Sequence, residues 1–226
     1  MPEEPHGAAL VRDRDRDRYL ATLYAPAAIR PALFALHALD LELAEVVRTT
    51  TEPMLGQIRL AWWREQLQSL DAGARPPQPT LAALASEVLP RGVGGTALEP
   101  LENANLALLD EDLDAYATAR AILFEAAVLL LVAEPDQALS DTARTIGSGW
   151  AIADAARHGH APLTVHLDQA AAALAPRRLP AAARPILALG ALALIDVAAL
   201  RAGQPLSPRG TPGRQARLLW SIMTGR

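Results

Sequence analysis

Between residues 33 and 47 apolar side chains recur three and four apart, through Leu33, Leu36, Leu39, Leu43, Val46 and Val47, the period of one buried helix face. Asp40, Glu42 and Glu45 are set among them. A carboxylate carried unpaired into an apolar interior costs on the order of several kcal/mol. These acids must therefore face water, meet an arginine or hold a ligand. A chain built around such a segment is predicted to be all-α. With 226 residues, 51% of them hydrophobic, it can bury one substantial core. Ala and Leu dominate, β-branched residues are sparse and no alternation of strand length occurs, so helix is favoured throughout.

The punctuation along the chain divides it into helices. RDRDRDR at 12–18 reads as a solvated helix start held by weak local ion pairs, or else as an arginine source for a partner or phosphate. A turn at Ala25-Pro26 precedes a long helix over 29–48, and the break at 49–53 precedes another over 54–70. A Pro-rich stretch at 75–79 leads to a short helix over 80–89, and PRGVGGT at 90–96, the most flexible-looking internal loop, reads as a surface connection. Further helices are predicted over 98–109, 113–132 and 141–157. One helical domain over 1–226 is the simplest division, with 1–17 and 202–213 expected to be flexible. The apolar runs at 121–133 and 185–200 contain Glu125 and Asp196 and fall short of the roughly 20 apolar residues of a spanning helix. The ending QARLLWSIMTGR is read either as a helix docked on the core or as an apolar, Arg-flanked element that touches a membrane or a partner.

Several functions are disfavoured directly. The formal net charge is −4 and the arginines alternate with acids, which gives no general attraction to nucleic acid. There is no Lys; every strong base is Arg. Without cysteine there is no disulfide framework, thiol nucleophile or thiolate metal site. The Gly-rich 90–96 loop follows no strand and lacks the Lys-Ser/Thr ending of a phosphate loop. Ser148 lies in Gly147-Ser148-Gly149, whose glycines suit close helix packing, or room in a central pocket, better than a nucleophile elbow. Asp110, Glu111, Asp112 and Asp114 precede or open a helix, where acids complement the dipole without any metal. His158, His160 and His166, with Asp154 and Asp168 near them, match no zinc spacing. Residues 1–18 carry no apolar targeting segment, so a cytoplasmic location is expected, with peripheral membrane contact as the alternative.

Arg18-Tyr19-Leu20, Ala25-Pro26, Phe34-Ala35-Leu36, Leu41-Glu42-Leu43-Ala44, Glu52-Pro53, the stretch 56–59 and the late run 155–162 together resemble the squalene/phytoene synthase family. So do Arg59, Leu60, Trp62, Trp63 and Arg64, the counterpart of that family's Arg-Leu-x-x-Trp-Arg stretch. The likeness is greatest to a divergent branch related to the mitochondrial complex I assembly factor. It implies an isoprenoid-synthase-like antiparallel helical bundle, a single domain with a central apolar cavity and charged residues at one mouth. Catalytic members hold Mg²⁺ and a prenyl diphosphate on Asp-Asp-x-x-Asp, which falls here on Ala44, Glu45 and Arg48. The second acidic motif falls on 146–157 and ends in Ala156-Arg157-His158. Mg²⁺ at a diphosphate needs several oxygen ligands, so both motifs are degenerate.

The resemblance therefore implies a divergent, non-catalytic protein without a cofactor, binding a lipid, an isoprenoid or a protein partner and assisting assembly of respiratory complex I. Tyr19, Arg30, His37, Arg48 and Arg157 are the candidate ligand-binding residues, the arginines attracting an anion at the mouth; His37 is read as a packed or cavity-lining residue. Asp40, Glu42, Glu45 and Asp154 are the remnant acids. The alternative is an active prenyl transferase of squalene/phytoene synthase type that condenses prenyl diphosphates with an irregular Mg²⁺ site on those four acids. A third reading is a helical interaction module whose pocket has collapsed.

Overall fold

The computed structural model describes residues 6–225, and among them there is helix and no strand. The first elements are α1 (Ala8–Arg14), α2 (Arg16–Leu23), α3 (Arg30–Thr49) and α4 (Pro53–Asp71). Short pieces follow: α5 (Pro79–Ala83), α6 (Gly95–Leu98), α7 (Pro100–Leu109), α8 (Leu113–Arg120) and α9 (Ile122–Leu131). The last are α10 (Gln137–Arg157), α11 (Thr164–Ala173), α12 (Arg184–Leu187), α13 (Leu189–Arg201) and α14 (Pro212–Thr224). This is the predicted all-α, isoprenoid-synthase-like class.

Local chemistry sets the ends of the two central helices. α3 opens with Pro31 in its first turn, where the missing N–H is an orphan in any helix and φ is already helical. α10 is capped by Asp136, whose side chain accepts from Leu139 N at 2.8 Å, and is stopped by Gly159 at φ 91°. The predicted apolar stripe of α3 is buried from Leu33 to Val46, with Leu33, Leu36, Leu39 and Leu43 each at 0% exposure, and Val47 is half-buried. Around it lie α1, α2, α5, α7 and α9, while α10 packs on α8, α9, α11 and α13. Gly147 and Gly149 permit those contacts: a Cβ on Gly147 would stand 3.0 Å from Ala121 O, and one on Gly149 2.8 Å from Leu174.

The structure corrects four readings. RDRDRDR is not a solvated start: Asp15, Asp17 and Arg18 are buried, and only Asp13, Arg14 and Arg16 are exposed. The predicted helix over 113–132 is two, α8 and α9, interrupted only at Ala121, which keeps helical dihedrals and whose carbonyl accepts from Phe124 N at 3.1 Å. The helix over 80–89 passes after Ala83 into a π turn over Leu84–Val88 and a 3₁₀ turn over Leu89–Arg91, since Pro90 has no N–H to continue the ladder. The 90–96 connection is pinned, not free. Gly95 lies so close to α4 that a Cβ would fall 1.9 Å from Leu67 O, and the Gly95 and Thr96 N–H groups donate to Asp71 at 2.6 and 2.9 Å.

Of the segments expected to be flexible, residues 1–5 lie outside the described residues. Residues 8–17 are helical apart from Asp15, which caps α2 through Arg18 N. Within 202–213, Arg209 reaches the interior and Gly210 N donates to Asp17 at 2.9 Å. Counted from its leading 3₁₀ turn, the stretch Ala181–Arg201 is long and apolar enough to cross a membrane, with mean hydropathy 1.8. Most of it is buried against the protein and it carries an ion-paired acid, Asp196. α14 docks through Arg214, Leu218 and Ser221.

Candidate functional site

Where α3 and α10 face each other, their deepest acids do not meet a void. Asp40 of α3 is fully buried and receives two guanidinium groups. Arg18 of α2 donates Nη1 to Asp40 Oδ2 at 2.6 Å, and Arg120 at the end of α8 donates Nε to Oδ1 at 2.9 Å and Nη2 to Oδ2 at 2.7 Å. The same Arg120 places Nη1 2.6 Å from Asp154 Oδ2 on α10. Asp154 is also held by Arg209, whose Nε lies 3.4 Å from Asp15, and Asp15 takes Arg18 Nε at 2.6 Å. The six groups close into a ring of three carboxylates and three arginines. Trp150, one turn before Asp154, covers it, its ring 5.1 Å from the Arg18 guanidinium and 4.8 Å from that of Arg120.

A second balanced cluster adjoins the first. Asp17 accepts from Arg214 Nε at 2.8 Å, Arg214 donates to Asp196 at 2.6 and 3.2 Å, and Asp196 also takes Arg157 at 2.6 and 3.1 Å. The space between the two clusters is about 10 Å³, lined by Trp150, Leu189, Leu192 and Ala193 and by the charges themselves. That is room for about one water.

Burial opposes the charge on each ring acid, and the neighbouring arginines overcome it. Asp15, with Arg209 and Arg18, and Asp40, with Arg120 and Arg18, are held below the usual carboxylate value; Asp154, between Arg120 and Arg209, is held well below it. Arg18 and Arg120 lose by burial and gain more from their acids, so both are raised. His37, one turn before Leu41 and fully buried, is pushed down to about 3 by burial and by the Arg18 charge. It is neutral, with neither ring nitrogen hydrogen-bonded to the protein.

Of the remnant acids, Asp40 and Asp154 are brought together and Glu42 and Glu45 are not. Glu42 faces α5, accepting from Gln78 Nε2 and Thr80 Oγ1, both at 2.7 Å. Glu45 lies nearer the surface between Arg14, at 2.9 Å, and Arg48. With His158, Leu41 and Ala44 these three line a cleft of about 230 Å³. The ligand-binding candidates scatter likewise. Tyr19 stacks on Phe34 at 5.6 Å, Arg30 closes the preceding turn by donating to Ala25 O at 2.9 Å, and His37 lies beside the ring. Only Arg48 reaches the cleft, while Arg157 serves the second cluster and Ser207 O.

The donor set at the ring does not fit Mg²⁺. A divalent ion bridging the two helices would need lone pairs of Asp40 and Asp154 that face each other, and a delocalised cation already lies between them. No group of three potential ligands is gathered for a metal ion among the described residues. Asp15, Arg18, Arg120, Arg209 and Trp150 were not among the predicted site residues. Arg120 carried a sequence signal, a single arginine ahead of an apolar helical run, whereas Arg18 was masked as the last of four arginines in RDRDRDR.

The comparisons with known proteins agree with this architecture. The match to the squalene/phytoene synthase family covers residues 11–160. Complex I assembly factor 6 of Homo sapiens is 35% identical over 75 residues, and its Bos taurus and Mus musculus counterparts are 33% and 32% identical over the same length. Those segments are 33% of this chain and 22% of the relatives, so the likeness spans about a fifth of their length. No solved structure matches. With the family match running from the start of the buried charge ring in sequence to the end of α10, the chain belongs to the squalene/phytoene synthase family.

Proposed function

We propose that this protein is a non-catalytic member of its family that acts by binding, and that it serves the assembly of respiratory complex I. The observation that carries the first part is Arg120. It lies between Asp40 and Asp154, the acids from the two helices that would have to cooperate around a metal, and with Arg18 and Arg209 it compensates their charge from a buried position. Ionising a prenyl diphosphate requires cationic stabilisation of the leaving group from a site open to it. Here the cations are spent on the protein's own carboxylates, with about 10 Å³ of space beside them. The second part rests on the similarity to complex I assembly factor 6.

Binding is assigned to the cleft at the outer end of α3. Arg14 and Arg48 flank the single acid Glu45 there, leaving one arginine in excess, with Leu41 and Ala44 as an apolar wall. This suits an anionic group with apolar surface, on an isoprenoid, another lipid or a protein partner. Two measurements test the reading. Purified protein given farnesyl and geranylgeranyl diphosphates, Mg²⁺ or Mn²⁺ and NADPH should release no diphosphate and form no hydrocarbon; turnover lost in Glu45→Ala would establish the prenyl transferase alternative instead. A host lacking the protein should accumulate incomplete complex I on native gels, restored by the wild-type chain; normal complex I in that host would sink the assembly role.

A further inference from the structure

We propose that the outer face of α14 seats this protein on an anionic phospholipid surface. The charge distribution points there first. From residue 169 to residue 226 the chain has eight arginines and a single acid, Asp196, although the whole chain is net negative. Asp196 is buried and consumed by Arg157 and Arg214. Arg201 pairs with Asp168 and Arg209 with Asp154. Arg177 and Arg184 donate to backbone carbonyls, Arg184 to those of Ile222 and Met223 at the C-terminal end of α14. No acid pairs with Arg177, Arg178, Arg184 or Arg217 among the described residues, so this end of the molecule carries uncompensated positive charge.

The second observation is the helix itself. α14 spends its inward face on Arg214, Leu218 and Ser221 and turns large apolar side chains outward: Trp220 is 60% exposed, Met223 69% and Leu219 39%. At 100° per residue these three form one stripe, with Arg217 on its border beside Trp220. Beneath that border a narrow slot opens between α13 and α14, lined by Leu174, Leu179 and Leu194, with Arg177 and Arg217 in its wall. Ser221 Oγ is buried in it without a hydrogen-bond partner. An exposed Trp and Met on an apolar stripe, bordered by arginines and free of acids, match the layers of a phospholipid surface, acyl boundary inside and phosphate outside. An acidic protein would satisfy the arginines but leaves the apolar stripe without a stated counterpart.

The test is co-sedimentation of the purified full chain with vesicles of phosphatidylcholine, with and without phosphatidylglycerol. Binding to the anionic vesicles only, weakening as salt is raised, is expected. The double substitution Trp220→Ser/Met223→Ser should abolish sedimentation. Arg178→Ala/Arg217→Ala should weaken it about thirtyfold, the loss of two headgroup contacts. All four positions are exposed or half-buried, and unchanged far-UV circular dichroism will confirm that the variants fold. Equal binding to neutral vesicles, indifference to either pair of substitutions, or no sedimentation at all would overturn the proposal. Retention on immobilised polyglutamate with vesicles left free would assign the face to a protein and overturn it as well.

Discussion

Arg120 grips Asp40 with two parallel hydrogen bonds, 2.9 and 2.7 Å long, and both side chains are almost completely withdrawn from water. The pair joins the end of α8 to the middle of α3, and the remaining Arg120 nitrogen reaches Asp154 on α10. One guanidinium thereby ties three helices at the point where the fold would otherwise bring two carboxylates face to face.

Removing that guanidinium leaves Asp40 with Arg18 alone and Asp154 with Arg209 alone, so the buried ring carries one negative charge in excess. Arg120→Ala should lower unfolding stability by about 3–5 kcal/mol, measured by urea denaturation. Arg120→Lys should recover little, because an ammonium cannot make the planar two-pronged contact while also reaching Asp154. Glu45→Ala, whose partners Arg14 and Arg48 are exposed, should leave the urea midpoint almost unchanged.

Acid should unfold the protein through the ring. Asp15, Asp40 and Asp154 all titrate below 3.8 when folded, so each unfolded chain takes up protons first as pH falls. Their contribution is complete above 3.8 and is lost as pH falls below it toward the lower folded values. Stability measured from pH 7 to pH 2 should therefore drop steeply only in this acidic window. Asp40→Asn should be less stable at pH 7 and show a shallower acid slope; an unchanged slope would remove Asp40 from the account.

Glu102 on α7 predicts the opposite sign. It is fully buried, its carboxylate has no hydrogen-bond partner, and the nearest cation is Arg64 at 3.7 Å. Burial raises its pKa above 4.5 more than Arg64 lowers it. The ionised form therefore destabilises the fold at neutral pH, and stability recovers as pH falls through the raised value toward 4.5. Glu102→Gln should raise the melting temperature at pH 7 and change it much less at pH 4.

At the crossing of α4 and α6, Gly95→Ala would place a methyl 1.9 Å from Leu67 O, inside any tolerable contact. Backbone on both sides leaves only helix displacement as relief. A loss of about 2 kcal/mol or more is expected in thermal or urea unfolding. Gly92→Ala, three residues earlier with open space around it but φ at 87°, should cost less, on the order of 1 kcal/mol.

How far the sequence could be read followed the range of the forces involved. The period of Leu33, Leu36, Leu39 and Leu43 and the breaks at 25–26 and 49–53 are local signals, and the helices they mark, α3 and α4, are present; the helix predicted over 141–157 is present too but starts four residues earlier, behind the Asp136 cap. Of the two readings of Gly147 and Gly149, close packing is the one present: a Cβ there would meet Ala121 at 3.0 Å and Leu174 at 2.8 Å. Where tertiary contacts override local pattern the reading failed. RDRDRDR looks solvated because its partners, Asp40, Arg209 and Arg214, lie far away in sequence.

The candidate site divided along the same line. The sequence by itself determined an all-helical chain and showed that Asp40, Glu42 and Glu45, set among apolar residues, had to face water, meet an arginine or hold a ligand, because burying a lone charge costs on the order of several kcal/mol. It could not determine which partner. Charge pairing has no period and no fixed separation, so the choice of Arg18 and Arg120 over a metal, and the closing of the ring through Asp154, Arg209 and Asp15, was decided only when the tertiary structure brought five separate segments to one point.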